Sequence, residues 1–370
     1  LHQLNGAQWS QLLDELHSFG SLARRRCFQH AFERRLRNAA LQAIATHRAE
    51  SFPEADTPVF QAMFCIDARE ESFRRHLEET EPRCETFGVA GFFGVPIYYR
   101  GIHDAHFATL CPIVVRPKHW LVEEVLLTDE ERHQRRTRSR RVLGQASLQV
   151  QQGSHGLIAG ALLTAGFGVL ASIPLVARVL FPQLAARIRS AANQFVEAPP
   201  QTRLHIERIA EAPSPLPDGI GFNVEEMTGF CERLLRDIGL TQQFSRLVFV
   251  VGHGSSCLNN PHKSCYDCGA CSGSAGGPNG RAVAMMMNDP RVRALLSERG
   301  IAIPEQTWFV GAQHDTAVDA VQFFDLDLLP GTHRNDLQTA RAALNEACER
   351  NAHERCRRFY SAPLNLSPAA

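Results

Sequence analysis

The stretch Val59-Phe60-Gln61-Ala62-Met63-Phe64-Cys65-Ile66-Asp67-Ala68-Arg69-Glu70 decides the fold. An apolar run suited to a strand ends in a thiol, a carboxylate and a guanidinium at alternate positions, and the text from Arg69 to Glu79 turns helical. Cys65 and Asp67 are therefore expected at the carboxyl end of a strand, where ligands bind in open α/β sheets. If the strand persists to Arg69, period-two spacing sends all three side chains to one side. A metal then meets Cys65 and Asp67 while Arg69 competes for the carboxylate. The other half of such a site lies at Val250-Val251-Gly252-His253-Gly254, after a second buried-looking strand, Arg246 to Val251. It opens a loop carrying Cys257, Cys265, Cys268 and Cys271.

The chain has 370 residues, 44% of them apolar, enough for one large or two ordinary domains with a substantial core. Lys plus Arg and Asp plus Glu both total 39, so no net charge recruits nucleic acid. The basic runs Arg24 to Arg37 and Arg132 to Arg141 read as solvated helix faces. Eleven cysteines, four of them within fifteen residues after a histidine, fit reduced thiols and a metal better than a disulfide framework.

In chain order, Ala7 to Arg48 reads as two amphipathic helices, broken from the first strand at Ser51-Phe52-Pro53. Thr86 to Gly94 and Val95 to Tyr99 are glycine-rich apolar text suited to strands or to a tight loop near a ligand. Cys111 to Val115 is expected as a strand and Trp120 to Leu143 as a charged helix. Gly156 to Ala177 carries no charge over 22 positions, with four glycines and Pro174. A buried helical hairpin ranks first for it, docking on a membrane subunit second and a bilayer span third. Pro199-Pro200 and Pro213 to Pro217 mark the return from an insertion. Helices follow at Val224 to Ile238, at Ala282 to Glu298 with a break at Asp289-Pro290, and at Gln338 to Phe359. The last strands are Gln306 to Ala312 and Ala320 to Asp325. The expected architecture is α/β, with a central mainly parallel sheet resembling that of β-type carbonic anhydrases, a helical insertion and flanking helices. Its segments are residues 1–55 (N-terminal helical), 56–143 and 241–330 (the two parts of the metal-binding α/β domain), 144–240 (insertion) and 331–370 (C-terminal helical).

Zinc takes thiolate, imidazole and carboxylate, in four places or in three with one left for water. Cys65, Asp67 and His253 supply three donors from two strand ends. The fourth comes from Cys257, Cys265, Cys268 or Cys271, and spacing alone does not choose among them. Cys265, Cys268 and Cys271 offer a competing reading, a separate structural zinc or iron–sulfur knuckle. His314-Asp315-Thr316 is placed to line the same cleft, with a turn or capping role for Asp315 of equal weight. His103-Asp104-Ala105-His106 reads as loop.

Cys-x-Asp-x-Arg at a strand end resembles the zinc site of β-type carbonic anhydrases, in which His and the second Cys lie closer together. Three longer blocks resemble the DabA family. These are Phe64 to Ser72, Glu85 to Gly94, and Gly252-His253-Gly254 with Asn259-Asn260-Pro261 and Asp267-Cys268-Gly269-Ala270-Cys271. That resemblance implies zinc on Cys65, Asp67, His253 and Cys268, with Arg69 able to draw Asp67 off the metal. It implies a peripheral subunit on the cytoplasmic face of the inner membrane, paired with a DabB-like cation-conducting membrane subunit, with a homo-oligomer of that pair also open. The chemistry it implies is one-way hydration of CO2 to bicarbonate, without nucleic acid, and a chain that is an internal portion of a longer protein. Two other functions follow from the residues alone: a free-standing carbonic-anhydrase-like lyase, and an interaction module whose zinc is structural.

Overall fold

The computed structural model describes residues 5–49, 57–102, 104–126, 130–181, 184–185, 188, 201–257, 260–360, 363 and 365. The break at Ser51-Phe52-Pro53, His103, Pro199-Pro200 and Asn259 lie outside them. The chain divides into two units, residues 1–56 and 57–370. The first holds the two expected helices, α1 (Gly6–Ser18) and α2 (Ser21–Ala49). Asn5 and Gln8 close a reciprocal capping box at the start of α1, giving two otherwise orphaned backbone donors a partner.

The second unit runs β1 (Gln61–Cys65), α3 (Ala68–Thr80), β2 (Glu85–Val89), β3 (Ile97–Arg100), β4 (Ala108–Leu110) and β5 (His119–Val125). It continues with α4 (Glu130–Ser154), α5 (Leu157–Leu180), β6 (Thr202–His205), α6 (Val224–Ile238) and β7 (Leu247–Gly254). It closes with α7 (Gly277–Asn288), α8 (Pro290–Glu298), β8 (Trp308–Asp315), β9 (Ala320–Phe323) and α9 (Arg334–Cys356). The central sheet has the order β2-β1-β7-β8-β9, parallel throughout except for β9 at one edge. Every residue of β1 and β7 is buried, the condition that makes central parallel strands read as continuous apolar runs. The α/β class with a mainly parallel central sheet and flanking helices is therefore what the chain forms.

Both faces of this sheet are covered. Phe60, Phe64, Phe249 and Val251 pack with Phe73 and Leu77 of α3 and Leu344 of α9 on one side. Met63, Val248 and Val250 pack on the other with Val283 and Met287 of α7 and Leu235 of α6. That second core also takes in Ile97, Leu121 and Leu204, from a smaller sheet of order β4-β3-β5-β6. After β1 the chain moves to one side to make β2, whereas β7 is laid down on the other side of β1. The gap between the carboxyl ends of β1 and β7 is thus a topological switch point, the usual ligand crevice of an open α/β sheet.

Four expectations need correction. The strand does not persist past Cys65, because Asp67 accepts a hydrogen bond from the Arg69 N–H and caps α3, which places Arg69 on a helix. Cys111 to Val115 is a turn rather than a strand: the Val115 N–H bonds the Pro112 carbonyl, and Ile113 and Val114 stand in solvent. The segment Trp120 to Leu143 is not one helix, because its first residues form β5, in which His119 and Leu121 are buried and alternate with less buried neighbours. The insertion is not purely helical either, since Thr202–His205 returns as β6 to pair with β5. Arg281 of α7, 5% exposed, holds these parts together. It donates to both carboxylate oxygens of Asp325 at 2.6 and 2.7 Å, to Glu123 of β5 at 2.8 Å and to the Thr202 carbonyl of β6 at 2.6 Å.

Candidate metal centre

The last register pair between β1 and β7 is Phe64 with Val251, which puts Cys65 level with Gly252, so β7 overhangs its neighbour by His253 and Gly254. That overhang carries His253 beyond the end of β1, above Cys65. The third group arrives on a tight turn, in which the Cys268 N–H bonds the Ser274 carbonyl while the Cys271 and Gly273 N–H groups bond the Cys268 carbonyl. The turn lies directly on β7, with the Gly276 N–H on the His253 carbonyl at 2.8 Å. A Cβ on Gly252 would come within 2.3 Å of the Gly276 backbone, so only glycine permits this approach. The outcome is a buried trio, Cys65, His253 and Cys268, whose ligating atoms all lie within 4.8 Å of one another.

Gly91, in the bend after β2, closes the trio from the side of the smaller sheet. A Cβ there would stand 2.6 Å from the Cys268 sulfur and 2.8 Å from that of Cys65. Gly91→Ala is therefore expected to push the two thiols apart and weaken metal binding at least about tenfold in a chelator competition, a loss of the size seen when a ligand's support is disturbed. The circular dichroism spectrum should stay unchanged, because the bend itself does not require glycine; unaltered affinity would show that the turn yields freely.

The electrostatics of the trio suit a cation. Both ring nitrogens of His253 are buried with no hydrogen-bond partner, an arrangement that costs free energy until something binds them. The Cys65 thiol is raised well above its ordinary pKa by its hydrogen bond to Cys268 and by burial, the His253 ring acting in the opposite direction. Cys268 is pushed up to about 12, first by its hydrogen bond to Cys271, with burial adding and the Cys65 bond opposing. Without a cation both sulfurs thus keep their protons at neutral pH, and metal uptake must release them.

Asp67 is not part of the trio. Arg69 grips it with two parallel bonds, Nε to Oδ1 at 2.8 Å and Nη2 to Oδ2 at 3.0 Å, the strong bidentate geometry. The Arg69 bond lowers the Asp67 pKa to about 2 against the opposing effect of burial, so the carboxylate stays charged at any working pH. Arg69 also donates to the Tyr266 carbonyl at 2.6 Å, which ties the first turn of α3 to the loop that delivers Cys268. Cys65, His253 and Cys268 supply three donors, one fewer than a four-coordinate ion would take, and Asp67 and Arg69 are partly buried, with side chains 25% exposed.

The remaining thiols fall elsewhere. Cys265 is exposed, and Cys271 is buried behind Cys268, with its sulfur 3.5 Å from the Gly91 carbonyl. Cys257 pairs with the Ser255 hydroxyl at 2.7 Å. Among the described residues Cys265 and Cys271 join no ligand cluster. Asp315 bonds the Ser256 and Ala317 N–H groups, a turn role. His314 is not in an open cleft but fully buried in β8, bonded to Glu70 at 2.7 Å. The glycine-rich text from Thr86 to Gly94 is expected near a ligand, but nothing in it singles out Gly91 from Gly88 or Gly94; Glu70 stands as an acid on the same helix face as Phe73 and Leu77, and its contact with the distant His314 has no signal along the chain.

The chain matches, over residues 4–370, the family described as "Probable inorganic carbon transporter subunit DabA". It is 47% identical over 369 residues to "Probable inorganic carbon transporter subunit DabA 2" of Rhodopirellula baltica, covering 99% of this chain and 34% of that protein. It is 43% identical over 362 residues to "Probable inorganic carbon transporter subunit DabA 1" of Sorangium cellulosum, covering 97% and 35%. With the protein "Probable inorganic carbon transporter subunit DabA" of Parafrankia sp. the identity is 40%, covering 91% and 33%. The chain thus spans about a third of the length of the curated relatives it matches. No solved structure matches it.

Proposed function

The chain belongs to the DabA family, and from that premise we propose that it is the zinc-bearing part of an inorganic-carbon uptake subunit that hydrates CO2 to bicarbonate. The observation that carries the reading is the buried Cys65, His253 and Cys268 trio, whose imidazole has no hydrogen-bond partner outside the trio. Two thiols and one imidazole with an open fourth position form a donor set suited to zinc in a catalytic role. When bound, such a metal supplies the Lewis acidity that makes a nucleophile from water near neutral pH.

The protein's own contribution is the control of that fourth position. Asp67 is held by Arg69; released from it, the carboxylate would be the anionic donor on the β1–α3 connection that could serve as a fourth ligand to a bound metal. We assign the gate to this exchange, with Cys65, His253 and Cys268 as constant ligands and Asp67 as the conditional one. Burial of the trio keeps bulk solvent out, while the half-exposed Asp67 and Arg69 mark the side from which a small neutral substrate enters.

A subunit needs a partner, and the proposed one is a DabB-like cation-conducting membrane protein that drives the gate in one direction. The seat is the cytoplasmic face of the inner membrane, held peripherally. Leu157, Ile158, Leu162, Leu175 and Val179 of α5 are exposed, and such a surface supports contact with an apolar partner. The test is growth in air of a bacterium lacking its carbonic anhydrases, supplied with the full-length subunit and its membrane partner. The wild-type pair is expected to restore growth and His253→Ala to abolish it; equal growth with His253→Ala would overturn the proposal. Rescue by the subunit without its partner would point instead to a free-standing lyase.

A further inference from the structure

Two buried groups at this end of the sheet are short of hydrogen-bond partners. One is the His253 ring, whose nitrogens have none outside the trio, and the other is Oε2 of Glu70, a residue with no exposed surface in the first turn of α3. The second oxygen of Glu70, Oε1, is fixed by His314 Nδ1 at 2.7 Å. His314 is held in turn on two further sides. Its ring stacks on Phe73 with centroids 4.5 Å apart, and its Nε2 lies 3.3 Å from Asp319 Oδ1, at ion-pair distance but outside hydrogen-bond geometry; Asp319 is itself bonded by Asn351 at 2.9 Å and paired with Arg355. Asn351 closes the set by accepting from Ser72 of α3 at 2.7 Å.

Topology places the two orphans together. The strand order is β1-β7-β8, and Glu70 sits on the helix that follows β1, yet it reaches His314 on β8. To do so its side chain crosses the carboxyl end of β7. There His253 is the register partner of His314, and paired residues on neighbouring strands project from the same face of a sheet. The carboxyl group of Glu70 therefore passes over the strand end that carries the imidazole. A histidine that ligates through one ring nitrogen presents the other as an N–H donor, and such donors are regularly taken by a carboxylate that fixes the ring's tautomer and direction. A carboxyl group already serving one donor still has acceptor capacity for another.

We propose that Glu70 is a positioning residue for the metal centre: its free Oε2 accepts the non-ligating N–H of His253, directly or through one water, and the His314-Asp319-Arg355 set holds Glu70 in place for that purpose. The inference rests on the zinc reading above. It adds a chain of buried polar contacts that connects the ligand to α3, the helix whose first turn also carries Arg69, and to α9.

The experiment is zinc affinity of the full-length subunit by competition with a chromophoric chelator, together with the visible spectrum of the cobalt(II)-substituted protein. Glu70→Ala is expected to weaken zinc binding about 10–100-fold and to shift the cobalt bands, the usual loss for a removed supporting carboxylate. Glu70→Gln, which keeps a carbonyl acceptor, should recover most of both. Ser72→Ala, which alters the same network without touching the metal side, should bind as wild type does. Unchanged affinity and spectrum in folded Glu70→Ala overturn the inference. If that variant does not fold, an experimental structure of the zinc-loaded wild type decides: the inference stands if the free ring N–H of His253 meets Glu70 or a water on it, and falls if it meets another group. Failure of the wild type to bind zinc would instead remove the underlying reading.

Discussion

Replacing Cys268 with serine is expected to take the zinc content of the purified full-length subunit from about one equivalent to below about 0.1, as read by elemental analysis. The reason lies in the size of the donor set. Cys65, His253 and Cys268 are the three groups that converge, and loss of one leaves a thiol and an imidazole that cannot hold the ion against a chelator. Serine keeps the shape of the side chain but offers a hard hydroxyl of high pKa in place of a thiolate. The buried position adds to the loss, since Cys268 has no exposed surface and a water cannot readily stand in for the sulfur. The same change at Cys265 should leave the content at one equivalent, because that thiol is exposed and takes no part in the cluster. Zinc that survives Cys268→Ser and disappears with Cys265→Ser would restore the structural knuckle and withdraw the catalytic reading.

The second large effect is expected from Arg69→Ala: zinc retained, carbon uptake by the assembled complex down at least about 100-fold, or ~2.7 kcal/mol of barrier. Arg69 is not one of the trio, but it supplies both side-chain hydrogen bonds to Asp67, which in the proposed gate keep the carboxylate from the metal's fourth position. Without them the carboxylate is free to occupy that position and block it. Arg69 also anchors the Tyr266 carbonyl, so its loss has a second route to inactivity through a loosened Cys268 loop. The double variant Asp67→Ala with Arg69→Ala separates the two. If competition for Asp67 is the cause, removing the carboxylate restores part of the uptake that Arg69→Ala lost. If the loop anchor is the cause, the double variant stays as inactive as the single one, and the gate has to be abandoned.

Arg69 and Cys268, the residues these two experiments replace, stand 199 positions apart in parts of the chain that only folding joins, and the expectations drawn from the residues map onto the structure unevenly. The strands at Gln61–Cys65 and Leu247–Gly254 were visible because strands buried on both faces leave near-continuous apolar runs. The same logic failed for Ile113 and Val114, where apolar residues lie in solvent, and for Trp120, where a short strand of the smaller sheet precedes a helix and the charged text masks the change. Likewise Asp67 and Arg69 were recognised as a pair, but the spacing suggested a strand, whereas the Asp67 side chain caps a helix and bends the chain at that point.

By itself the sequence determined which residue types were available for the chemistry and at which strand ends they stand, since apolar periodicity and the abrupt appearance of Cys, Asp and His are local properties. It did not choose among Cys257, Cys265, Cys268 and Cys271, because in a flexible loop all four have similar reach to His253. Only the tertiary structure brings one of them, Cys268, to Cys65 and His253: β7 runs past the end of β1, the Cys268 turn seats closely on Gly252, and the bare Cα of Gly91 leaves room for the Cys65 and Cys268 sulfurs. The placing of Glu70 beside β8 was likewise decided by the strand order, because a contact across a sheet depends on which strands are neighbours, and no period along a single chain records that.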